Sequence, residues 1–200
     1  MQIGCDVNQR NTVMAVGGCG YVGHLLAPHL YNHKVPRGCS GTWFTFDLHR
    51  CPSCPWRGTA GLHGMPGIVG DATDFGALFW AAKDVDAIVY MAEGDVDDPT
   101  SLFSAGVHGF YNTLMAARAR GVRRVILISS LSVHSPSTGS IGHVRDFGED
   151  TPPQCDHPDG ITVLMAEWLG RYFAETFGMS IFALRISGPV SDEVLMAHRV

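Results

Sequence analysis

The chain of 200 residues has no apolar run approaching the roughly 18 residues that a membrane-spanning helix needs, which argues against a membrane span. It has no basic excess either. Fourteen Lys and Arg face nineteen Asp and Glu, giving a net charge of −5, so no cationic footprint for nucleic acid exists. Met1-Gln2-Ile3-Gly4-Cys5-Asp6 lacks the basic and apolar regions of a secretory leader, and six scattered cysteines read as reduced thiols. A cytoplasmic location is the expectation. No His-Glu-x-x-His pattern occurs among the ten histidines. What is present is apolar content of 46%, enough for one domain over 1–200 with a substantial core.

The informative stretch is Thr12-Val13-Met14-Ala15-Val16-Gly17-Gly18-Cys19-Gly20-Tyr21-Val22-Gly23. An apolar run reads as a buried strand, a glycine turn follows, and His24–Leu30 reads as a helix. Strand, glycine turn and helix together make a seat for a dinucleotide pyrophosphate. Gly17 permits the turn, Gly20 admits close approach of phosphate, and Gly23 allows the helix to pack on the strand. Tyr21 and Val22, within the glycine motif, are counted with the cofactor-binding residues. The second strand, Thr42–Asp47, ends in an acid 27 residues after Gly20, against a usual distance of about 20. A carboxylate there accepts adenosine ribose hydroxyls and repels a 2′-phosphate. Asp47 therefore favours NAD, with NADP the less favoured alternative because Arg50 stands near.

Further strands are expected at Ile68-Val69, Ala87–Ala92, Val125–Ile128 and Ser180–Ile186, with helices at about 74–83, 100–120 and 161–177. Thr73 or Asp74 caps the first of these helices. Asp71 stands at a strand end where adenine would lie, and Met91, Ala92 and Glu93 border the cofactor, since ligands sit outside the carboxyl ends of parallel strands. Alternating strands and helices predict an α/β doubly wound parallel sheet of six or seven strands, with helices on both faces. Between them, residues 49–67 form a loop containing Cys51-Pro52-Ser53-Cys54. Cys39, His49 and His63 flank it, and four such ligands could hold zinc. No second Cys-x-x-Cys exists, so an ordinary loop insertion is the stronger reading and no metal is assigned.

These residues resemble the extended short-chain dehydrogenases/reductases, the NAD-dependent epimerase/dehydratase group, and within it the uronate dehydrogenases. The resemblance rests on the glycine turn, Asp47, Gly70-Asp71, Met91-Ala92, Gly121-Val122-Arg123-Arg124-Val125, Ile128–Val133, Glu149–Pro153, Glu167 and Leu184–Pro189. It implies a Rossmann-type fold, a sugar-like hydroxyl substrate, and a homodimer through the long helix near Thr100 and the helix 161–177. Met165, Trp168 and Phe173 would be contacts in that dimer. It also implies a catalytic Ser, Tyr and Lys, often with an Asn. Ser130 falls on the serine. In the frame Tyr-x-x-x-Lys-x-x-x-Glu, counting back from Glu167, Asp159 occupies the tyrosine position and Val163 the lysine position. The stretch of the helper asparagine reads Gly106-Val107-His108-Gly109.

Three of four catalytic side chains are thus replaced. No tyrosine lies between Tyr111 and Tyr172, so a slip of register cannot restore the pair. Asp159 is the substitute at the tyrosine position, shorter than a tyrosine and, as a carboxyl, ionised at neutral pH unless buried. His134 and His157 are the other titratable groups considered. The residues after the sixth strand, up to Val200, suffice for one short helix, so a substrate lobe is expected to be reduced, to be supplied by another chain, or to be missing because this is a truncated product. Two readings follow: an NAD-dependent oxidoreductase or epimerase on a sugar-like hydroxyl, or a catalytically inactive dinucleotide-binding sensor or subunit.

Overall fold

A computed structural model describes residues 10–32, 40–48, 67–134 and 148–187. Six parallel strands form one sheet in the order β3-β2-β1-β4-β5-β6. They are β1 (Arg10–Val16), β2 (Ser40–Asp47), β3 (Gly67–Val69), β4 (Ala87–Tyr90), β5 (Arg124–Ser130) and β6 (Ser180–Ile186). The order reverses direction between β1 and β4, and that switch opens a crevice at the strands' carboxyl ends. The helices are α1 (Tyr21–Asn32), α2 (Phe75–Ala81), α3 (Pro99–Phe103), α4 (Phe110–Arg120) and α5 (Pro158–Phe177). Ser104–Gly109 joins α3 to α4 as a π-helical turn, so the single helix expected over 100–120 is three consecutive segments.

The strands alternate their side chains between two layers. Met14, Val16, Ile88, Tyr90, Val125 and Leu127 point into the larger core, with Leu78 of α2, Leu114 and Ala117 of α4, and Phe173 of α5. Ala15, Val89 and Met91 point the other way and meet Val22 and Leu26 of α1. Strands apolar on both faces are what a parallel sheet covered on both sides requires.

The helix ends follow local chemistry. Asp74 caps α2 by accepting from the Ala77 backbone N–H at 3.2 Å, and Asp98 caps α3 with Pro99 in the first turn. Gly121 and Gly178 end α4 and α5 at φ of 78° and 64°. Such left-handed geometry suits glycine. α5 begins three residues earlier than expected. Pro158 lacks the N–H that a first helical residue cannot use anyway, and the His157 ring accepts from the Gly160 N–H at 3.2 Å as its cap. That early start matters for the site, because it puts Asp159 on the helix.

Candidate dinucleotide site

Gly17 is held at φ 76°, and a side chain there would run into the backbone of Met91 and Ala92. The turn therefore sits tight against the end of β4. Its geometry is fixed by backbone hydrogen bonds: Gly17 N–H donates to the Phe46 carbonyl at 2.9 Å, and Gly20 N–H to the Gly17 carbonyl at 3.0 Å. Gly20 is exposed, and a methyl there would meet only the Gly17 carbonyl, at 3.2 Å. That leaves bare backbone facing the crevice. Gly23 does different work: a side chain on it would collide with Gly18, so it lets α1 start directly on the turn.

Asp47, at the end of β2, accepts from the Cys19 backbone N–H through Oδ2 at 2.9 Å. The bond clamps the carboxylate to the glycine turn, and its other oxygen has no partner among the described residues. Asp71 accepts from the Thr73 N–H at 2.8 Å. Burial, and then the Asp71 charge, push the Tyr90 phenol far above its ordinary pKa, and its hydroxyl donates to the Ala105 carbonyl at 2.5 Å. Tyr90 thus anchors the π-helical turn to the sheet and is no acid.

One cavity of about 990 Å3 joins these groups. Gly17, Gly20, Tyr21, Val22, Asp47 and Asp71 line it on one side, and Met91, Ala92, Glu93, Ser130, Asp159 and Val163 on the other. Of the assigned cofactor-binding and catalytic candidates only Gly23 is outside the lining, in its packing role. Ser130 accepts from the Ser132 N–H at 3.0 Å through its hydroxyl. Neither His134 nor His157 is part of the wall: the first is buried against Arg185 and the second caps α5. Gly106, where the helper asparagine is expected, also lines the cavity, and a side chain on it would strike the Thr162 methyl at 2.6 Å. Gly106 thereby lets the π-helical turn approach α5 closely.

Folding gives two acids that the sequence had marked, Glu93 and Glu167, surroundings that the motifs did not specify. Glu93 lies three residues beyond β4, keeping solvent on one side. Partial burial and the charge of Asp159 raise its pKa. Behind the cavity, Glu167 takes the Ser129 hydroxyl at 2.5 Å and both Arg185 Nε (2.9 Å) and Nη2 (2.7 Å). Burial opposes its charge, but these bonds outweigh burial and hold the carboxyl below its ordinary value. Among the described residues no group of three or more His, Cys, Asp or Glu could hold a metal; Cys39, His49, Cys51, Cys54 and His63 lie outside those residues. No described helix is long and apolar enough to cross a membrane.

The sheet order, the crevice at its switch and the bare glycine turn facing an acid at the end of β2 define a dinucleotide-binding α/β protein. The NAD dependent epimerase/dehydratase family matches residues 13–198, and the chain belongs to it. It is 28% identical over 143 residues to L-arabinose 1-dehydrogenase (NAD(P)(+)) of Haloferax volcanii, covering 66% of this chain and 56% of that protein. It is 27% identical over 117 residues to the uronate dehydrogenase of Agrobacterium fabrum, covering 58% and 43%. UDP-glucose 4-epimerase from Brucella ovis, solved in complex with NAD, superposes with a TM-score of 0.68 at 24% identity, over 88% of this chain and 51% of that one. The chain thus spans about half the length of these relatives.

Proposed function

We propose that this chain binds NAD in the cavity at the sheet switch and acts as an oxidoreductase or epimerase on a sugar-like hydroxyl. The observation that carries it is the single cavity joining the bare Gly20 backbone and Asp47 to Ser130 and Asp159. The residues fit the cofactor: the turn leaves room for a pyrophosphate, and Asp47 keeps one oxygen for a ribose hydroxyl while discouraging a 2′-phosphate. NADP is the less favoured ligand. Bound NAD would supply the hydride acceptor. The Ser130 hydroxyl would donate to the substrate oxygen, and Asp159, in the first turn of α5, would take up the hydroxyl proton. The two sugar dehydrogenases among the relatives support the substrate class.

A second reading, a dinucleotide-binding sensor or subunit without turnover, is favoured by Val163, which puts an uncharged side chain where the family carries its lysine. Calorimetric titration with NAD and NADP tests the binding reading, with Asp47→Ala as control. Saturable NAD binding lost in the variant supports it, and no heat with either dinucleotide sinks it. Turnover on a panel of sugars and uronates then separates the two readings. We further propose a homodimer through exposed aromatics of α4 and α5.

A further inference from the structure

Among the described residues the cavity carries one sign of charge. Its charged lining residues, among those described, are Asp47, Asp71, Glu93 and Asp159, with no Lys, Arg or His beside them. The chain holds two lysines, Lys34 and Lys83; Lys34 lies outside the described residues and Lys83 is exposed on the turn after α2. The acids fall into two pairs set by the sheet order. Asp47 and Asp71 follow β2 and β3. Glu93 follows β4, and Asp159 lies on α5, which packs against β5 and β6. The glycine turn of β1 stands between the pairs. If Asp47 receives the adenosine ribose, the nicotinamide half reaches the end where Glu93 and Asp159 stand.

We propose that Glu93 and Asp159 make this site selective for the oxidised dinucleotide, so that NAD+ binds in preference to NADH. The inference rests on the dinucleotide reading above and adds to it which redox form is held. The cavity itself is defined by the glycine turn, and the acids decide only the preference between ligands that fit it. The two forms differ at the nicotinamide ring, cationic in NAD+ and neutral in NADH, while adenosine and pyrophosphate are common to both. Repulsion between the acids and the pyrophosphate therefore cancels in the ratio of affinities. What remains is the attraction between one positive charge and the carboxylates at that end, where Asp159 is partly buried and Glu93 is exposed, so that solvent and salt screen it only in part. Val163 supplies no opposing positive charge. Glu93 is consistent with this: burial and, after it, the charge of Asp159 raise its pKa, so the two carboxylates feel one another and a cation near both would relieve that repulsion. A protein so built would be occupied or empty according to the ratio of oxidised to reduced cofactor, whether or not it turns over.

The test is titration of the full chain at pH 8 with NAD+, NADH and ADP-ribose, which lacks the nicotinamide. Wild type is compared with a Glu93→Gln/Asp159→Asn double variant whose fold is checked by circular dichroism. We expect NAD+ to bind about tenfold more tightly than NADH, and the double variant to bring the ratio close to one. ADP-ribose affinity should change by far less than the ratio does. Equal binding of NAD+ and NADH by wild type overturns the proposal while leaving the dinucleotide site intact, as does a preference that survives both substitutions. Absence of binding by all three ligands would instead remove the dinucleotide reading, and this inference with it.

Discussion

Glu167 shows how a side chain outside the cavity holds its wall in place. It joins the end of β5, through Ser129, to β6, through Arg185, and Arg185 in turn reaches the buried His134 ring at 3.0 Å. Because these bonds lower the Glu167 pKa, the folded chain prefers the carboxylate more than the unfolded chain does. The resulting stability is fully present above the ordinary glutamate value of about 4.3 and is lost as pH falls through the lower, folded value. Denaturant midpoints measured from pH 6 down to pH 3 should therefore fall for wild type. Glu167→Gln should be less stable at pH 6, by about 2 kcal/mol, and should show a flatter acid limb. Equal slopes for the two proteins would mean that other carboxyls govern the acid limb. The sequence marked Glu167 only as the end of a frame. Its bonds to β5 and β6 could not be read there, since its partners lie 38 and 18 residues away.

Among the elements, the joint between the π-helical turn and α5 turns on one close contact. Gly106 is normally a weak residue in a helix, and Ala there would gain about 1 kcal/mol of helix propensity. Here the added methyl would meet the Thr162 methyl at 2.6 Å, and overpacking of this kind costs about 1–3 kcal/mol. Gly106→Ala should thus destabilise the wild-type chain. With Thr162→Ala in place the same substitution should become neutral or stabilising, a reversal readable in thermal melts of the four proteins. Additive effects would show that the contact is slack. The strands, their parallel class and the capping of α2 by Asp74 were legible because apolar runs and capping residues act locally. The start of α5 was not, since Pro158 reads equally well as the last residue of a loop and as the first of a helix. The π-helical turn was hidden as well, because its one trace in the sequence is a single five-residue step, from Leu102 to Val107, inside a stripe otherwise spaced by three and four.

The whole molecule leaves aromatic surface on one flank. Trp168 and Tyr172 of α5 are 63% and 53% exposed, four residues apart on one face, and Ile161 lies two turns before Trp168 at 44%. Tyr111 of α4, 42% exposed, extends the patch, since its ring and that of Tyr172 both rest on Phe173. Phe173, expected as a dimer contact from its place on the helix, is 1% exposed and belongs to the core; it supports the patch from beneath. The buried row of α5 runs through Thr162, Ala166, Gly170 and Phe173, and the sequence blurs it because that row holds Thr and Gly while Trp168 and Tyr172 stand off it. Aromatic residues at an interface centre commonly carry 2 kcal/mol or more each on truncation. The chain should therefore run in sedimentation analysis at twice its 21.6 kDa, and Trp168→Glu/Tyr172→Glu should run as a folded monomer with unchanged circular dichroism. Tyr111, Ile161, Trp168 and Tyr172 are not among the residues that line the cavity, so the monomeric variant should keep its NAD affinity within about twofold. A wild-type monomer at tens of micromolar would remove the homodimer, and loss of NAD binding on dissociation would show that the partner copy completes the site.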